Sequence, residues 1–471
     1  MDNIIDAKWV YAFKTDGFGR ICKAKARLVA RGFKQREGID FGETFAPTVS
    51  GSCVRLLASI ACELDLDLCH FDVDQAFVQS DLKEDVFMRL PQGCGRLSGK
   101  VVRLNKSLYG LKQASRSWHA HLTECLKSLG FEQCLADVCV FRLIEEGQMI
   151  VTAVVHVDDI FAVGKQNRCD QMCEDLNQMM PIKNLGELRC YAGCQFLRDR
   201  EHGLLTISQK TFSDALVEKF GMISERRVPF GVGVKLDEFD EDEMTENWPF
   251  RELVGSLMWL ATSTRPDISN AVRAVARYCS APKALHWRTA LGILAYVKGT
   301  SGYGVTFQRG TVNGLALQVF ADADYGSKAT DRRSVSGGLI MCGGACVSWF
   351  SRTQKCVTLS TTEAEYVAMG EAVKELLFLR QVWHFMLPSL GTPCVTVFED
   401  NQGAIQLAQN PVTNSNSKHI DIRHHFLREL VSGGAISVTH VPSAYQHADV
   451  LTKALGVEAF EFHRNYILNM R

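Results

Sequence analysis

The sequence predicts an α+β chain of several domains that ends in an α/β domain. Its 471 residues, 46% of them hydrophobic, suffice for roughly two to four domains with their own cores. The N-terminal part mixes basic strands with amphipathic helices, whereas the last third shows strands first and then helix, strand and helix. Residues 236–247 carry seven acids and no base, which indicates a solvated linker between the two parts.

The predicted elements of the N-terminal part follow from hydrophobic periodicity. Alternating runs at 9–13 and 21–33 predict two basic strands around a turn, and 149–155 and 160–164 predict strands on either side of a tight turn, HVDD. Apolar side chains at helical spacing predict helices over 52–66 and 118–129. In the last third, a capping-box pattern at Ser360 and Glu363 predicts the start of a long helix.

Charge and cysteine content exclude several classes of protein. With 52 Lys and Arg against 53 Asp and Glu, the net charge of −1 excludes a polycation, although residues 8–36 hold nine bases and one acid. We expect no membrane span and no signal peptide, because no apolar run approaches about 18 residues and the N-terminus lacks the required charge pattern. The 17 cysteines, an odd number without zinc-site spacing, favour free thiols in a reducing compartment.

A first group of candidate functional residues consists of Asp72, Asp158 and Asp159. Asp72 ends an apolar strand, and the two adjacent aspartates lie at the predicted hairpin turn. Neighbouring carboxylates repel each other unless a divalent cation neutralises them, and oxygen ligands suit Mg²⁺. Two-metal nucleotidyl transfer needs such a group. Taken alone, the Asp-Asp pair is better explained as a polar hairpin turn.

A second group consists of four acids in the last third of the chain. Asp322 lies on a strand, Glu363 in the first turn of the long helix, Asp400 at a strand end and Asp449 near a late helix start. Four acids so placed can converge at one edge of an α/β sheet and hold two metal ions for phosphodiester hydrolysis. Each alone is better explained as a surface carboxylate or a helix cap. Asp324 and Glu365 lie two residues further on, and we expect Glu365 to face away from Glu363 on the helix.

Several long motifs occur in a fixed order along the chain. In the N-terminal half they are KARLVARGFKQREGIDFGETFAPTVS, DVDQAF, SLYGLKQASRSW and HVDD. Downstream they are ELVGSLMWLATSTRPDISNAV, FADADYG, STTEAEY, SKHIDIRHHFLRE and QHADVLTK. In this order the motifs resemble the reverse transcriptase and RNase H region of copia-type (Pseudoviridae) LTR retrotransposon Pol proteins, and the resemblance covers nearly the whole chain.

The resemblance implies roles for individual residues. Asp72, Asp158 and Asp159 would bind the metals of the polymerase site, and Asp322, Glu363, Asp400 and Asp449 those of the RNase H site. Phe77 would exclude a ribose 2′-hydroxyl. The remaining substrate-binding candidates come from the basic finger strand, the SLYGLKQ motif and the hairpin: Lys25, Arg27, Arg31, Gly110, Lys112, Gln113 and His156. His156 stands where the family usually has Tyr, which makes primer placement less certain than metal binding.

The implied fold is an α+β right-hand polymerase with fingers, palm and thumb/connection, followed by an α/β RNase H-like domain. We place fingers and palm in 1–235, linker and thumb/connection in 236–312 and the RNase H-like domain in 313–471. The implied activity is RNA-directed DNA synthesis with degradation of RNA in RNA–DNA hybrids; the alternative is a catalytically inactive transposon relic that only binds nucleic acid.

The resemblance also implies cofactors, partners and location. Each active site would use two Mg²⁺ ions, with Mn²⁺ as a substitute. The partners would be RNA and DNA template-primer, RNA–DNA hybrid, dNTPs and the integrase of the same polyprotein. The expected location is cytoplasmic, in virus-like particles, or nuclear, and the sequence leaves the oligomeric state open.

Overall fold

The structure, a computed structural model, describes residues 3–15, 21–237, 239, 247–326, 332–391, 393–410 and 421–470. The chain forms two compact units. Unit 1 comprises Met1–Val49 and Asp67–Leu188, and unit 2 comprises Ser50–Leu66 and Arg189–Arg471. In the described residues, no helix is both long enough and apolar enough to cross a membrane.

The secondary structure is numbered here in chain order. The helices are α1 (Gly51–Glu63), α2 (Ala114–Ser128), α3 (Gln166–Asn177), α4 (Lys210–Lys219), α5 (Phe250–Ser263), α6 (Ser269–Ala276), α7 (Ala284–Gly299), α8 (Thr361–Met386), α9 (Gln402–Gln409), α10 (Asp421–Ser432) and α11 (Val457–Leu468). The strands are β1 (Ile4–Thr15), β2 (Ile21–Ala30), β3 (Asp67–Val73), β4 (Phe87–Arg89), β5 (Val101–Arg103), β6 (Glu132–Gln133), β7 (Val140–Glu145), β8 (Gln148–His156), β9 (Asp159–Gly164), β10 (Ile182–Glu187), β11 (Cys190–Tyr191), β12 (Cys194–Asp199), β13 (Leu204–Ser208), β14 (Gly304–Gln308), β15 (Gln318–Asp324), β16 (Val335–Cys342), β17 (Ala345–Thr353), β18 (Val395–Glu399) and β19 (Ile436–His440).

Unit 1 is built around an antiparallel sheet of order β10-β3-β9-β8-β7-β6. The strands at its centre are nearly continuous apolar runs, because side chains on both of their faces are buried. Helices α2 and α3 contribute Trp118, Leu126 and Leu176 to the same core as Phe71 and Ile160 of the sheet. The predicted strands around HVDD and the predicted helix that contains Trp118 are therefore confirmed.

A second sheet of unit 1, of order β2-β1-β4-β5, carries the basic N-terminal strands. Strands β1 and β2 pair antiparallel, with Val10 opposite Arg27 and Ala7 opposite Ala30. The SLYGLKQ motif passes so close to β2 that a Cβ at Gly110 would lie 2.2 Å from the carbonyl oxygen of Ala30. Only glycine fits there, since Gly110 also has a φ of +92°.

Unit 2 ends in a mixed five-stranded sheet of order β17-β16-β15-β18-β19. Strands β15, β16 and β17 run antiparallel, whereas β15, β18 and β19 run parallel. The long helix α8 packs on β15 and β16, and Ser360 caps it as predicted by accepting a hydrogen bond from the backbone of Glu363. This arrangement is the RNase H-like α/β domain that the resemblance implied, and the polymerase-plus-RNase H fold class is confirmed.

The rest of unit 2 consists of a small sheet, β11-β12-β13-β14, and the helices α4 to α7. Helix α1 also belongs to this unit and packs against β13, β14, β17 and α8. The boundaries of the two units therefore differ from the boundaries predicted at 235 and 312. The division into three functional segments stays a prediction. Most of the acidic linker lies outside the described residues. The described cysteines are free thiols, in agreement with the prediction from cysteine content.

Candidate active sites

The hairpin between β8 and β9 presents the two adjacent aspartates of unit 1. His156 pairs with Asp159, and the turn between them consists of Val157 and Asp158. Val157 has a φ of +59°, a conformation that β-branched residues rarely adopt. Two hydrogen bonds hold the turn in place. Trp118 Nε1 donates to the Val157 carbonyl at 2.6 Å, and the Val73 backbone nitrogen donates to the Asp158 carbonyl at 2.9 Å. Packing and hydrogen bonds therefore fix this strained turn.

Asp72 lies on β3 directly opposite Asp159 on β9, so the sheet brings all three predicted aspartates of unit 1 together. Burial and the negative charges of Asp158 and Asp159 raise the pKa of Asp72. His70, on the same strand, has its Nε2 at 3.1 Å from Asp159 Oδ1, and the sequence analysis did not identify this contact. The three carboxylates form a negatively charged group at the end of two strands.

Next to this group, Phe77 lies half-buried in a short 3₁₀ helix, Ala76–Gln79. The edge of one ring meets the face of the other between Phe77 and Tyr109, with centroids 4.7 Å apart. The guanidinium carbon of Arg27 lies 5.8 Å from the centroid of the Tyr109 ring. Tyr109 was missed by the sequence analysis, although it stands beside Gly110 in the SLYGLKQ motif. Of the three basic residues predicted in the finger motif, Arg27 therefore lies next to the aromatic pair Phe77 and Tyr109.

The other predicted binding residues of unit 1 have structural contacts of their own. Gln113 is buried, and its side-chain amide nitrogen donates to the Asp40 carbonyl at 2.8 Å. The ammonium of Lys112 lies 4.4 Å from the Phe41 ring centroid. Lys25 and Arg31 lie half-buried on and just after β2. These contacts give Gln113, like Gly110, a role in packing, and substrate binding by these residues stays a prediction.

The second site lies on the mixed sheet of unit 2. Carboxylate oxygens of Asp322, Glu365 and Asp400 all lie within 4.8 Å of one another. Asp322 is buried on the central strand β15, and Asp400 directly follows β18, the parallel neighbour of β15. Among the described residues this is the group of three or more acids, histidines or cysteines close enough to share one metal ion. The three aspartates of unit 1 are more widely spaced.

The structure corrects the choice of glutamate for this site. Glu363 lies in the first turn of α8, where its Oε2 accepts a hydrogen bond from the Leu359 backbone nitrogen at 2.7 Å. Positions two apart on a helix point in nearly opposite directions, so Glu365 faces the sheet instead. Placing Glu363 among the four acids was therefore wrong, and Glu365 takes its place. The sequence already held a signal for this correction. The capping-box pattern assigns Glu363 to the helix cap, and a carboxylate in the cap cannot also reach the sheet.

Asp449 joins the site through a cation. It lies in a 3₁₀ helix, His447–Leu451, in agreement with its predicted position near the start of a helix. Lys453, which the sequence analysis missed, places its Nζ 2.8 Å from Asp449 Oδ1 and 3.0 Å from Asp322 Oδ1. The hydroxyl of Thr452 donates to the other carboxylate oxygen of Asp322. Asp449 and Asp322 are thus bridged by one ammonium group.

The electrostatics of this site fit a divalent cation. Burial and the negative charge of Asp322 raise the pKa of Glu365 to about 11 and that of Asp449 to about 7. Glu399, a buried neighbour that the sequence analysis also missed, has its pKa raised by burial as well. Within the described part of the chain, Glu365 Oε2 has no hydrogen-bond partner although it is buried. A cation bound by oxygen ligands would satisfy it and favour the ionised form.

Two clusters of acids, one at the end of an antiparallel sheet and one on an RNase H-like sheet, define the class of a palm polymerase joined to an RNase H-like domain. Residues 2–230 match the family described as "Reverse transcriptase (RNA-dependent DNA polymerase)". This part of the chain belongs to the reverse transcriptase family, and the chain as a whole is related to the Pol polyproteins of copia-type retrotransposons.

The curated relatives cover almost the whole chain. The Retrovirus-related Pol polyprotein from transposon TNT 1-94 of Nicotiana tabacum is 35% identical over 98% of this chain and 35% of its own length. That from transposon RE1 of Arabidopsis thaliana is 34% identical over 97% of this chain and 31% of its own length. The chain therefore spans about a third of the length of these relatives.

Solved structures resemble the chain at lower identity. A foamy viral protease–reverse transcriptase in complex with double-stranded DNA covers 93% of this chain and 65% of its own, with 12% identity and a TM-score of 0.47. RNase H1 from Halobacterium salinarum covers 31% of this chain and 98% of its own, with 21% identity and a TM-score of 0.21. The fold assignment rests on the strand orders described above.

Proposed function

We propose that the chain is an RNA-directed DNA polymerase that also degrades the RNA of RNA–DNA hybrids. The observation that carries the proposal is the presence of two separate carboxylate groups, each on a sheet end and each within its own family motif. Unit 1 would bind template-primer and dNTPs, and unit 2 would bind the hybrid that results. The pairing of these activities in one chain is chemically sensible, since copying RNA leaves a hybrid whose RNA strand must be removed.

In unit 1, Asp72, Asp158 and Asp159 would hold two Mg²⁺ ions, which Mn²⁺ can replace. Bound there, the ions supply activation of the primer 3′-hydroxyl and stabilisation of the triphosphate. The half-buried ring of Phe77 would exclude a ribose 2′-hydroxyl, and the Tyr109 ring packs against it at close to a right angle. Arg27 brings a positive charge toward the same place, as a triphosphate or a template phosphate requires.

In unit 2, Asp322, Glu365, Asp400 and Asp449 would hold the ions of the hydrolytic site. Bound there, the ions supply activation of water and stabilisation of the leaving oxygen. Lys453 keeps Asp322 and Asp449 at a fixed distance and offsets part of their mutual repulsion. The chain's own residues thus orient the carboxylates before the substrate binds.

The test uses one substrate for each site. Purified protein with Mg²⁺ should extend a DNA primer on an RNA template, and Asp158→Asn should abolish extension while leaving cleavage of a preformed hybrid intact. Asp400→Asn should have the reverse effect. Binding of nucleic acid without extension or cleavage by the folded wild-type protein would favour the inactive relic and contradict the proposal. Extension that survives Asp158→Asn would show that the unit 1 site is assigned to the wrong residues.

A further inference from the structure

A cavity of about 470 Å³ lies in unit 2 beside the hydrolytic site. One wall comes from the RNase H-like sheet, where Asp324 of β15 and Thr452 line it. The opposite wall comes from α6, with Arg273 and Arg277, and from the segment that contains Lys235. The cavity is therefore shared by the sheet and by a part of the chain that lies outside it.

One hydrogen bond and one shared strand face connect this cavity to the carboxylates of the proposed hydrolytic site. Thr452 lines the cavity and donates its hydroxyl hydrogen to Asp322. Asp324 follows Asp322 by two residues on the same strand, so both side chains point to the same face of the sheet. A ligand that fills the cavity is consequently a neighbour of the reacting phosphodiester in unit 2.

Most of the charged side chains that line the cavity are basic. Four basic side chains line it against two acidic ones, and one of the acids, Asp237, already accepts a hydrogen bond from Tyr278 and lies 3.6 Å from Arg277. The bases are Lys235, Arg273, Arg277 and Arg332. Such a surplus of positive charge on a concave wall attracts an anion.

Arg273 is held in place by neutral groups. Its Nε donates to Ser351 Oγ at 3.0 Å, and its Nη2 donates to Asn270 Oδ1 at 2.7 Å. In the portion of the chain that the structure describes, no carboxylate forms an ion pair with it. Burial and the charge of Arg277 lower the pKa of Arg273 to about 10, while the negative charge of Asp324 on the opposite wall favours its charged form. Its guanidinium is thus oriented in advance by two neutral acceptors, an arrangement suited to binding phosphate.

We propose that this cavity binds a backbone phosphate of the RNA–DNA hybrid close to the scissile bond, so that helix α6 positions the hybrid for the hydrolytic site. The inference rests on the proposed RNase H function of unit 2. It adds a binding site formed partly outside the RNase H-like sheet, with Arg273 and Arg277 as positioning residues. Phosphodiester oxygen is the ligand, because the guanidinium groups match it and the neighbouring site acts on a nucleic-acid strand.

The experiment measures hybrid binding by the full chain in an Asp400→Asn background, which prevents cleavage. Arg277→Gln is the main variant, because Arg273 also holds Ser351 and Asn270. Arg288→Gln, an exposed arginine on α7 that does not line the cavity, is the matched control. We expect Arg277→Gln to weaken binding about fivefold to tenfold and to lower the slope of log K against log salt by about 1, whereas the control changes neither.

A second measurement locates the contact. A single methylphosphonate, which removes one backbone charge, is moved along the DNA strand of the hybrid. We expect one or two positions near the cleavage point to weaken binding to the Asp400→Asn protein, and these positions to cause no further loss when Arg277→Gln is added. Equal losses with and without Arg277, or equal salt slopes for the Arg277 and Arg288 variants, would overturn the proposal.

The two hypotheses can fail separately. If the wild-type protein does not cleave a hybrid but Arg277→Gln still weakens its binding at the same phosphate, the RNase H proposal fails and the phosphate site stands. If cleavage is normal and Arg277→Gln leaves binding and its salt slope unchanged while thermal melting shows an intact fold, the phosphate site is refuted and the RNase H proposal stands.

Discussion

Glu363 and Glu365 carry the same functional group in opposite surroundings, and this difference decides their roles. Glu363 Oε2 accepts from the Leu359 backbone nitrogen at the start of α8, whereas Glu365 is buried against Asp322 and Asp400. We predict that Glu365→Gln lowers the rate of hybrid cleavage by roughly 100-fold or more, because it removes a charge that a metal ion requires. Glu363→Gln should keep cleavage within about threefold and lower stability by about 0.5–1 kcal/mol.

Single-turnover cleavage and thermal melting of both variants check this prediction. Equal loss of cleavage in the two variants would show that Glu363 belongs to the site. Sequence reasoning identified the helix and its cap correctly here. It failed at the side chain because the TEAEY motif offers two acids, and choosing between them requires knowing which face of the helix meets the sheet.

The raised pKa values predict how the stability of the metal-free protein depends on pH. The pKa of Glu365 is raised to about 11 and that of Asp449 to about 7, so the folded protein holds protons that the unfolded chain has lost. Their contribution to stability is present at about pH 4 and is lost as the pH rises through 7 toward 11. We therefore expect the Tm in the presence of EDTA to fall between pH 5 and pH 8.

Glu365→Gln supplies the test of this dependence. The Tm of this variant should fall less between pH 5 and pH 8. At pH 8 without metal, its free energy of unfolding should exceed that of the wild-type protein by on the order of 1–3 kcal/mol. Mg²⁺ should stabilise the wild-type protein more than the variant, since binding to the folded state adds stability by mass action. A Tm of the wild-type protein that rises over this range, with Glu363→Gln behaving like Glu365→Gln, would contradict the assigned cause.

At the scale of elements, the approach of the SLYGLKQ motif to β2 fixes part of the proposed substrate-binding surface. The Ala30 backbone nitrogen donates to the Tyr109 carbonyl at 2.8 Å, and Gly110 leaves no room for a Cβ against Ala30. This contact sets where Tyr109 stands against Phe77 and Arg27. The sequence identified Gly110 as a residue of interest, but not this reason, because the approach joins segments that lie far apart in the chain.

Gly110→Ala therefore should destabilise unit 1. The substitution adds a clash with backbone atoms and a strained positive φ, and we expect a loss of about 2 kcal/mol or more together with impaired primer extension. Gly42→Ala is the control, because a Cβ there meets nothing within 4 Å and the residue is exposed. Denaturant unfolding of both proteins decides the matter, and a Gly110 variant as stable as the Gly42 variant would show that the strand and motif can move apart.

At the scale of the whole molecule, helix α1 shows what periodicity cannot reveal. The sequence predicted a helix over 52–66 and placed it in the N-terminal segment, and the helix itself is confirmed at Gly51–Glu63. Its packing partners are nevertheless β13, β14, β17 and α8 of unit 2. An apolar face tells that a helix is buried, but the surface that covers it depends on how the entire chain folds.

Arg55 illustrates how firmly α1 belongs to unit 2. Its Nε donates to the Val347 carbonyl at 2.7 Å, and its Nη1 donates to the Ser263 carbonyl at 2.8 Å. The guanidinium also lies 4.1 Å from the centroid of the Trp349 ring. Leu56, Leu57 and Ile60 are fully buried beside it. A cut at 188/189 would therefore separate the RNase H-like domain from a helix that its core requires.

We predict that residues 189–471, expressed alone, expose apolar surface and show no cooperative unfolding transition. The same fragment with residues 50–66 joined to its N-terminus by a flexible linker should fold. The expected difference comes from burying the apolar side chains of α1, each worth roughly 1.5–3 kcal/mol. Circular dichroism melting and binding of a hydrophobic dye check it, and Arg55→Ala in the joined fragment should lower its Tm because two buried carbonyls lose their donor. A fragment of 189–471 that melts cooperatively at the same temperature as the joined one would show that α1 is dispensable for the fold of unit 2.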